Sequence, residues 1–311
     1  MKKLLLPLLL SAALLPAVAQ AQQKKDSYRF VVVPKVVHPW FDAVNEGAKK
    51  AAQMIQAQTG AKVVIDYQAP QKADVVEQNQ ILERAIATKP DGIIVDLLDG
   101  KGNRAVLQEA LKRKIPVGVF DSVPPEGMNL TSIGADFCEQ ANIAAERLAK
   151  LLGGKGEVAI MKGVPTAPNH AIRAECHAKT FAKYPGIKVV AHGIDNDDIE
   201  TAQKQAAAIM QANPNLKGWV ACDAAGPIGV GQAIKEAGKA GKVILVGLDD
   251  LPEMVQLVKD GVADSSSASR PDMQGYWSVI ALWQNTLGMK TPKYIDTGTV
   301  VITKDNLTTY K

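Results

Sequence analysis

The chain has 311 residues, 47% of them hydrophobic and 22% charged, with a formal net charge of +4. That is the composition of an ordinary globular protein long enough for two domains. So small a basic excess lacks the concentrated positive surface that nucleic-acid binding needs, and no nucleic-acid partner is expected.

Met1 is followed by Lys2, Lys3 and an apolar run, Leu4 to Leu15, interrupted only by Pro7 and Ser11. Small residues then lead to Ala19-Gln20-Ala21. A short basic start, a short apolar core and an A-x-A site predict a secretory signal over residues 1–21, cleaved after Ala21, and export to the periplasm. The alternative is a retained anchor, but the run is shorter than the roughly 20 apolar residues that span a bilayer. No Cys stands near the cleavage site to take a lipid, and no later stretch is long and apolar enough to span.

From Tyr28 onward, β-branched runs alternate with stretches of helical period. Arg29–Pro34 reads as a buried strand, Phe41–Gln58 as a helix and Lys62–Tyr67 as a strand. Ala73–Thr88 is predicted helical, and Gly92–Val95 and Val117–Phe120 are strands on either side of a helix near Asn103–Lys114. This spacing implies right-handed crossovers and a parallel sheet. The pattern restarts at Ser132–Ala135 and a helix over Cys138–Leu152. Strands at Glu157–Met161, Lys188–His192, Gly218–Cys222 and Val243–Gly247 then alternate with helices near Ala174–Lys183, Thr201–Ala212 and Ile228–Ala240. The expected fold is α/β, with two doubly wound lobes. No tandem repeat and no Ser/Gly linker is visible, so a hinge within one body is expected.

Ligands of open parallel sheets sit beyond the carboxyl ends of the strands. Here those positions are polar or aromatic: Lys35, His38, Trp40 and Phe41 after the first strand, and Asp121 and Ser122 after the run ending at Phe120. Asn169 and His170 follow Glu157–Met161 after a loop. Asp223 follows WVAC, and Asp249 and Asp250 follow ILVGL. For the Asp residues the competing role is a helix N-cap, most of all for Asp250. Asp99 reads as a loop or cap residue. Lys35 has a solvated strand-end role as its alternative, Trp40 a core role, and His170 a surface or packing role.

Catalytic signatures are missing. There is no G-x-S-x-G, H-E-x-x-H or G-x-x-x-x-G-K-[ST], and Gly226, Gly229 and Gly231 stand in the wrong order for a dinucleotide fingerprint. The post-strand acids lie on different strands, so no metal, no cofactor and no enzymatic activity is expected. Cys138, Cys176 and Cys222 form no C-x-x-C pair. They read as buried thiols, with one disulfide possible in an oxidising compartment and the pairing open. What the set does fit is a polyol, because carboxylates accept, Lys donates, Asn does both, and an aromatic plane takes the apolar face of a sugar ring.

The stretch FVVVPKVVHPWFDAVNEGAKKAA resembles the opening of type I periplasmic sugar-binding proteins, the ribose and autoinducer-2/rhamnose group. QNQILERAIATKPDGIIV, IPVGVFDS, VAIMKGVPT, WVACDA and VILVGLDD continue the resemblance in order, over residues 28–305. It implies two lobes joined by a three-segment hinge, one of about 28–133 plus 270–294 and the other of 134–269 plus 295–311. It implies a monomer that delivers a sugar-like ligand to the membrane permease of an ABC importer, and possible presentation to a chemoreceptor. By position, Lys35 matches a ligand-binding lysine, Trp40 and Phe41 the stacking aromatics, and Asp121 and Asp249 ligand carboxylates. Asn169 and His170 fall where the autoinducer-2 branch has Asp and Gln, and Cys222, Asp223 and Ala224 where it has Pro, Asp and Ala. Ser122 and Ser269 depart from the Arg and Gln of ribose binders, so the resemblance names no particular ligand. An amino-acid binder of the same fold is a second reading. The sensory core of a sugar-responsive regulator is a third, although a DNA-binding helix-turn-helix would then precede the core.

Overall fold

A computed structural model describes residues 25–310. The expected signal and its cleavage site lie outside the described residues. Strand β1 (Ser27–Val33) is buried along its inner half, as a central parallel strand must be. It feeds helix α1 (Pro39–Thr59), where His38 is the N-cap, its Nδ1 accepting from the backbone N–H of Trp40, and Pro39 occupies the first turn. The first lobe continues with β2 (Lys62–Tyr67), α2 (Val75–Ala87), β3 (Gly92–Val95), α3 (Arg104–Lys112), β4 (Val117–Phe120) and β5 (Thr131–Gly134).

The second lobe comprises α4 (Phe137–Leu151), β6 (Lys155–Lys162), α5 (Pro168–Phe181), β7 (Gly186–Ile194), α6 (Ile199–Ala212), β8 (Leu216–Ala221), α7 (Gly226–Glu236), β9 (Ile244–Leu248), α8 (Pro252–Asp260) and β10 (Ala263–Ala268). The chain then returns to the first lobe as α9 (Pro271–Thr286) and β11 (Tyr294–Asp296), and ends in the second as β12 (Val300–Thr303).

Two six-stranded sheets result, in the orders β11-β5-β4-β3-β1-β2 and β12-β10-β9-β8-β6-β7. Every pairing is parallel except that of β12 with β10. The two halves repeat one winding scheme, with the strand order reversing between β1 and β3 in one lobe and between β6 and β8 in the other. Ligands of doubly wound sheets gather at those switch points.

Ser132–Ala135, read from the sequence as the start of the second pattern, falls largely in β5, a strand of the first sheet parallel to β4. Ile295 and Asp296 likewise pair with β5, so this sheet runs past the expected limits at 133 and 294. Four elements were not read at all: α8, β10, β11 and β12. Strand β10, ADSSSA, lacks any apolar run. It is a buried strand in which neighbours satisfy two of the three serine hydroxyls, Ser266 Oγ donating to the Asp249 carbonyl at 2.6 Å and Ser267 Oγ to the Gln140 carbonyl at 3.3 Å.

Helix α9 locks onto α1 at backbone distance. A Cβ on Gly275 would stand 1.8 Å from the carbonyl oxygen of Val44, so only glycine fits. In the second lobe the corresponding fastening is covalent, a disulfide between Cys138 of α4 and Cys176 of α5. Cys222 is free and buried.

Candidate ligand-binding site

The two sheets point their switch points at each other, and the lobes touch across the gap. Thr166 Oγ1 donates to the Leu98 carbonyl at 2.9 Å, and Leu98 packs with Val164 and Ala167 of the opposite lobe. Between them lies a narrow cavity of about 20 Å³.

Lobe one supplies a charged corner and an aromatic wall. Lys35 is buried, with Nζ 3.0 Å from Asp96 Oδ2 and 3.9 Å from Asp121 Oδ2. Burial works against its charge, but Asp96, Asp197 and Asp121 outweigh that and raise its pKa, so it is an ammonium. Burial pushes the Asp96 carboxyl up, and Lys35 pulls it back. Trp40 and Phe41 meet edge to face at 5.1 Å and line the cavity beside His38. His38 therefore does two jobs: Nδ1 caps α1, while its buried Nε2 has no partner among the described residues.

Asp121 and Asp249 both adopt left-handed backbone, with φ of 40° and 62°. Such conformations are costly for non-glycine residues and concentrate at working sites. Here they keep each amide on its strand ladder, Asp121 donating to Ile133 and Asp249 to Ser267, while the carboxylate turns into the cavity. Asp249 is held by Ser269, whose backbone N–H and Oγ donate to Oδ1 at 3.0 and 2.6 Å. Burial raises its pKa.

Lobe two presents the first turn of α5. The sequence reading placed Asn169 and His170 in a loop, but Pro168 starts the helix before them. Asn169 lies behind the cavity wall and latches the lobes, its Nδ2 donating to Asp121 Oδ2 at 2.6 Å. His170 Nδ1 accepts from the Val164 N–H at 2.8 Å, so the neutral ring carries its proton on Nε2. Burial, reinforced by Lys35, holds its pKa well below that of a free imidazole. Nε2 stands 3.1 Å from Lys35 Nζ, and both groups are donors. Asp197 Oδ1 is 3.8 Å from the same Nε2. A ligand oxygen beside this pair would accept from both.

Asp223 lines the cavity with Asp197, and Asp195 stands behind them. Burial, reinforced by these two acidic neighbours, pushes the Asp223 carboxyl well above the usual carboxylate range. Gly226 makes room for this cluster, since a Cβ there would lie 2.6 Å from Asp223 Oδ1 and 2.7 Å from Asp195 Oδ2. No group of three or more His, Cys, Asp or Glu side chains among the described residues is arranged to hold a metal ion.

Lys35, His38, Trp40, Phe41, Asp121, His170, Asp223 and Asp249 thus share one cavity, with Asn169 a step behind. Sequence reasoning missed Asp96, Arg173 and Asp197. Asp96 directly follows β3 and obeys the strand-end rule. Arg173 lies one helical turn after Asn169, on the same face. Asp197, in the loop after β7, carries no comparable signal. A larger open groove between α1 and β2, lined by Lys49, Gln53, Gln56 and Val63, gathers no buried polar groups.

Residues 29–290 match the periplasmic binding protein domain, and the chain belongs to that family. It is 34% identical to an ABC transporter solute-binding protein from Burkholderia graminis C4D1M solved in complex with D-arabinose, with a TM-score of 0.87 over 93% of this chain and all of that one. It is 28% identical to the D-ribose/D-allose-binding protein of Pseudomonas aeruginosa, over 84% of this chain and 83% of that protein. It is 25% identical to the D-apiose import binding protein of Actinobacillus succinogenes, over 86% and 82%. By name these relatives are sugar-binding and import proteins, not enzymes.

Proposed function

We propose that this protein captures a small neutral sugar between its lobes in the periplasm and hands it to the permease of an ABC importer, as a monomer. The observation that carries the reading is the matching of groups around one cavity with one aromatic wall. Lys35, His38, His170 and Arg173 donate, and Asp121, Asp197, Asp223 and Asp249 accept. A sugar hydroxyl both donates and accepts, so each one can bridge a member of either set, and charge-assisted bonds of this kind are the strong ones. The nonpolar ring face rests on Trp40 and Phe41.

The chain passes between the sheets after β5, between β10 and α9, and between β11 and β12. We read these three crossings as the hinge. Closure then assembles the two half-sites, and the ligand supplies the differential affinity that shifts the open–closed balance. Export with cleavage after Ala21 completes the proposal, and presentation of the closed form to a chemoreceptor is compatible with it.

A thermal-shift panel of pentoses, hexoses, deoxysugars, polyols and amino acids tests the reading. The cognate sugar at about 100 times its Kd should stabilise the protein by about 2.7 kcal/mol. Stabilisation by amino acids alone would replace the sugar reading with that of an amino-acid binder.

A further inference from the structure

Arg173 reaches the cavity from the middle of α5, and nearly everything that fixes its guanidinium comes from elsewhere. Nε donates to Gln140 Oε1 at 2.9 Å, Nη1 donates to the Cys222 carbonyl at 3.1 Å, and the guanidinium carbon lies 4.9 Å from the ring centre of Phe137. Only Nη2 turns to the ligand side, 3.5 Å from Asp121 Oδ1. Phe137 and Gln140 both belong to the first turn of α4, a helix with no side chain in the cavity.

The same helix is fastened to α5 twice more. Cys138, between Phe137 and Gln140, is bonded to Cys176, three residues beyond Arg173. Asn142 Oδ1 accepts from Thr180 Oγ1 at 2.7 Å. Gln140 also reaches the hinge, since its Nε2 donates to the carbonyl of Ser267 at 2.9 Å, on the strand whose amide partner is Asp249.

We propose that α4 sets ligand affinity without touching ligand, by holding Arg173 in its binding pose through Gln140, Phe137 and the Cys138–Cys176 bridge. Gln140 and Phe137 are positioning residues. A guanidinium has several rotatable bonds to freeze, and one already seated on a ring and a buried amide loses less freedom when ligand arrives. The bridge ties the first turn of α4 to the middle of α5, so the contacts at Arg173 do not depend on ligand to form them. The proposal rests on the sugar reading, because it takes Arg173 as a ligand contact.

The test is a double-mutant cycle on affinity. Gln140→Met retains shape and removes the hydrogen bonds, and Cys138→Ala/Cys176→Ala removes the bridge. Each is combined with Arg173→Ala, and circular dichroism verifies that every variant is folded at the titration temperature. Calorimetry uses whichever sugar of the thermal-shift panel, D-arabinose, D-ribose, D-allose and D-apiose included, binds the unaltered protein tightest. With Arg173 present, Gln140→Met should weaken binding about tenfold, equal to about 1.4 kcal/mol. In the Arg173→Ala background the same change should cost less than about twofold, because the contact it supports is gone. A folded Gln140→Met that binds like the unaltered protein, or that loses the same factor in both backgrounds, overturns the proposal and leaves the sugar reading standing. Unaltered protein that binds no sugar of the thermal-shift panel overturns both. Should Gln140→Met not fold, the cysteine pair runs through the same cycle, with non-additivity expected and additivity fatal.

Discussion

The two walls of the cleft are built on different physics. The lobe-one wall is largely preformed: Lys35 already has Asp96 at 3.0 Å and the aromatic pair is packed into the core, although His38 Nε2 and Trp40 Nε1 are buried without a partner among the described residues. The lobe-two wall is not. His170 and Lys35 meet donor to donor, Asn169 finds its acceptor only in the other lobe, and Asp197, Asp223 and Asp195 crowd together with no Lys or Arg in ion-pair range among the described residues. One wall is a preformed platform, and the other is satisfied only by closure and ligand. Sugar binding can therefore begin on lobe one and draw lobe two down, which is how a ligand comes to favour the closed state.

Asp121 is where the two walls join, since it faces Lys35 from its own lobe and accepts from Asn169 and Arg173 of the other. Removing it attacks the comparison at its centre. Asp121→Ala should cost about 2–5 kcal/mol of sugar binding, as truncating one member of a buried charge network does. Calorimetry with the cognate sugar measures it, and near-normal affinity in a folded variant would show that the walls close without this residue.

The lobes also differ in how they are fastened, by glycine contact between α1 and α9 in one and by the disulfide in the other. Cys138→Ala/Cys176→Ala should lower stability by about 2–4 kcal/mol, the value for a cross-link closing a loop of 38 residues. Urea unfolding of the variant against the oxidised protein checks this. A smaller loss than about 1 kcal/mol would mean that the α4–α5 packing alone holds the lobe.

The platform was far more legible in the sequence than its counterpart. Lys35, Trp40, Phe41 and Asp121 announce themselves because they directly follow apolar strands, and Asp223 and Asp249 do the same in lobe two. The rule applies equally to Asp96, which was overlooked although it ends the run GIIVD. Arg173 was invisible for a different reason: inside a helix, Arg reads as a solvated surface residue, and only its seat on Phe137 and Gln140 shows it buried. Asp197 sits in the run Asp195–Asp198, which resembles any polar turn. The disulfide was undetermined because three cysteines allow three pairings. The winding of both lobes was readable from alternation, whereas β10 was not, since its stability comes from hydroxyls that need tertiary partners.

The last contrast is in response to acid, and it is the smallest. His177, on α5 behind the cleft, is wholly buried, with Nε2 donating to the Ala221 carbonyl at 3.1 Å. Burial, aided by Arg173, lowers its pKa to about 4, although backbone carbonyl contacts oppose the shift. In the unfolded chain it titrates near 6.5. Between those values the unfolded state binds more protons, so stability is fully present above about pH 6.5 and is lost as pH falls toward 4. Buried His170 acts in the same direction. Asp96, Asp195, Asp223 and Asp249 act in the opposite one, because their raised pKa values relieve a penalty as they take up protons. Total stability therefore mixes both signs, and only a difference isolates His177. His177→Gln keeps a donor for Ala221 and cannot titrate. Between pH 7 and pH 5 the unaltered protein should lose about 2 kcal/mol more than this variant, the effect of about one and a half pH units at 1.36 kcal/mol each. Paired urea titrations at the two pH values measure the gap. Parallel losses would mean that water reaches His177 in the folded protein, and that the lobe-two interior is wetter than its packing implies.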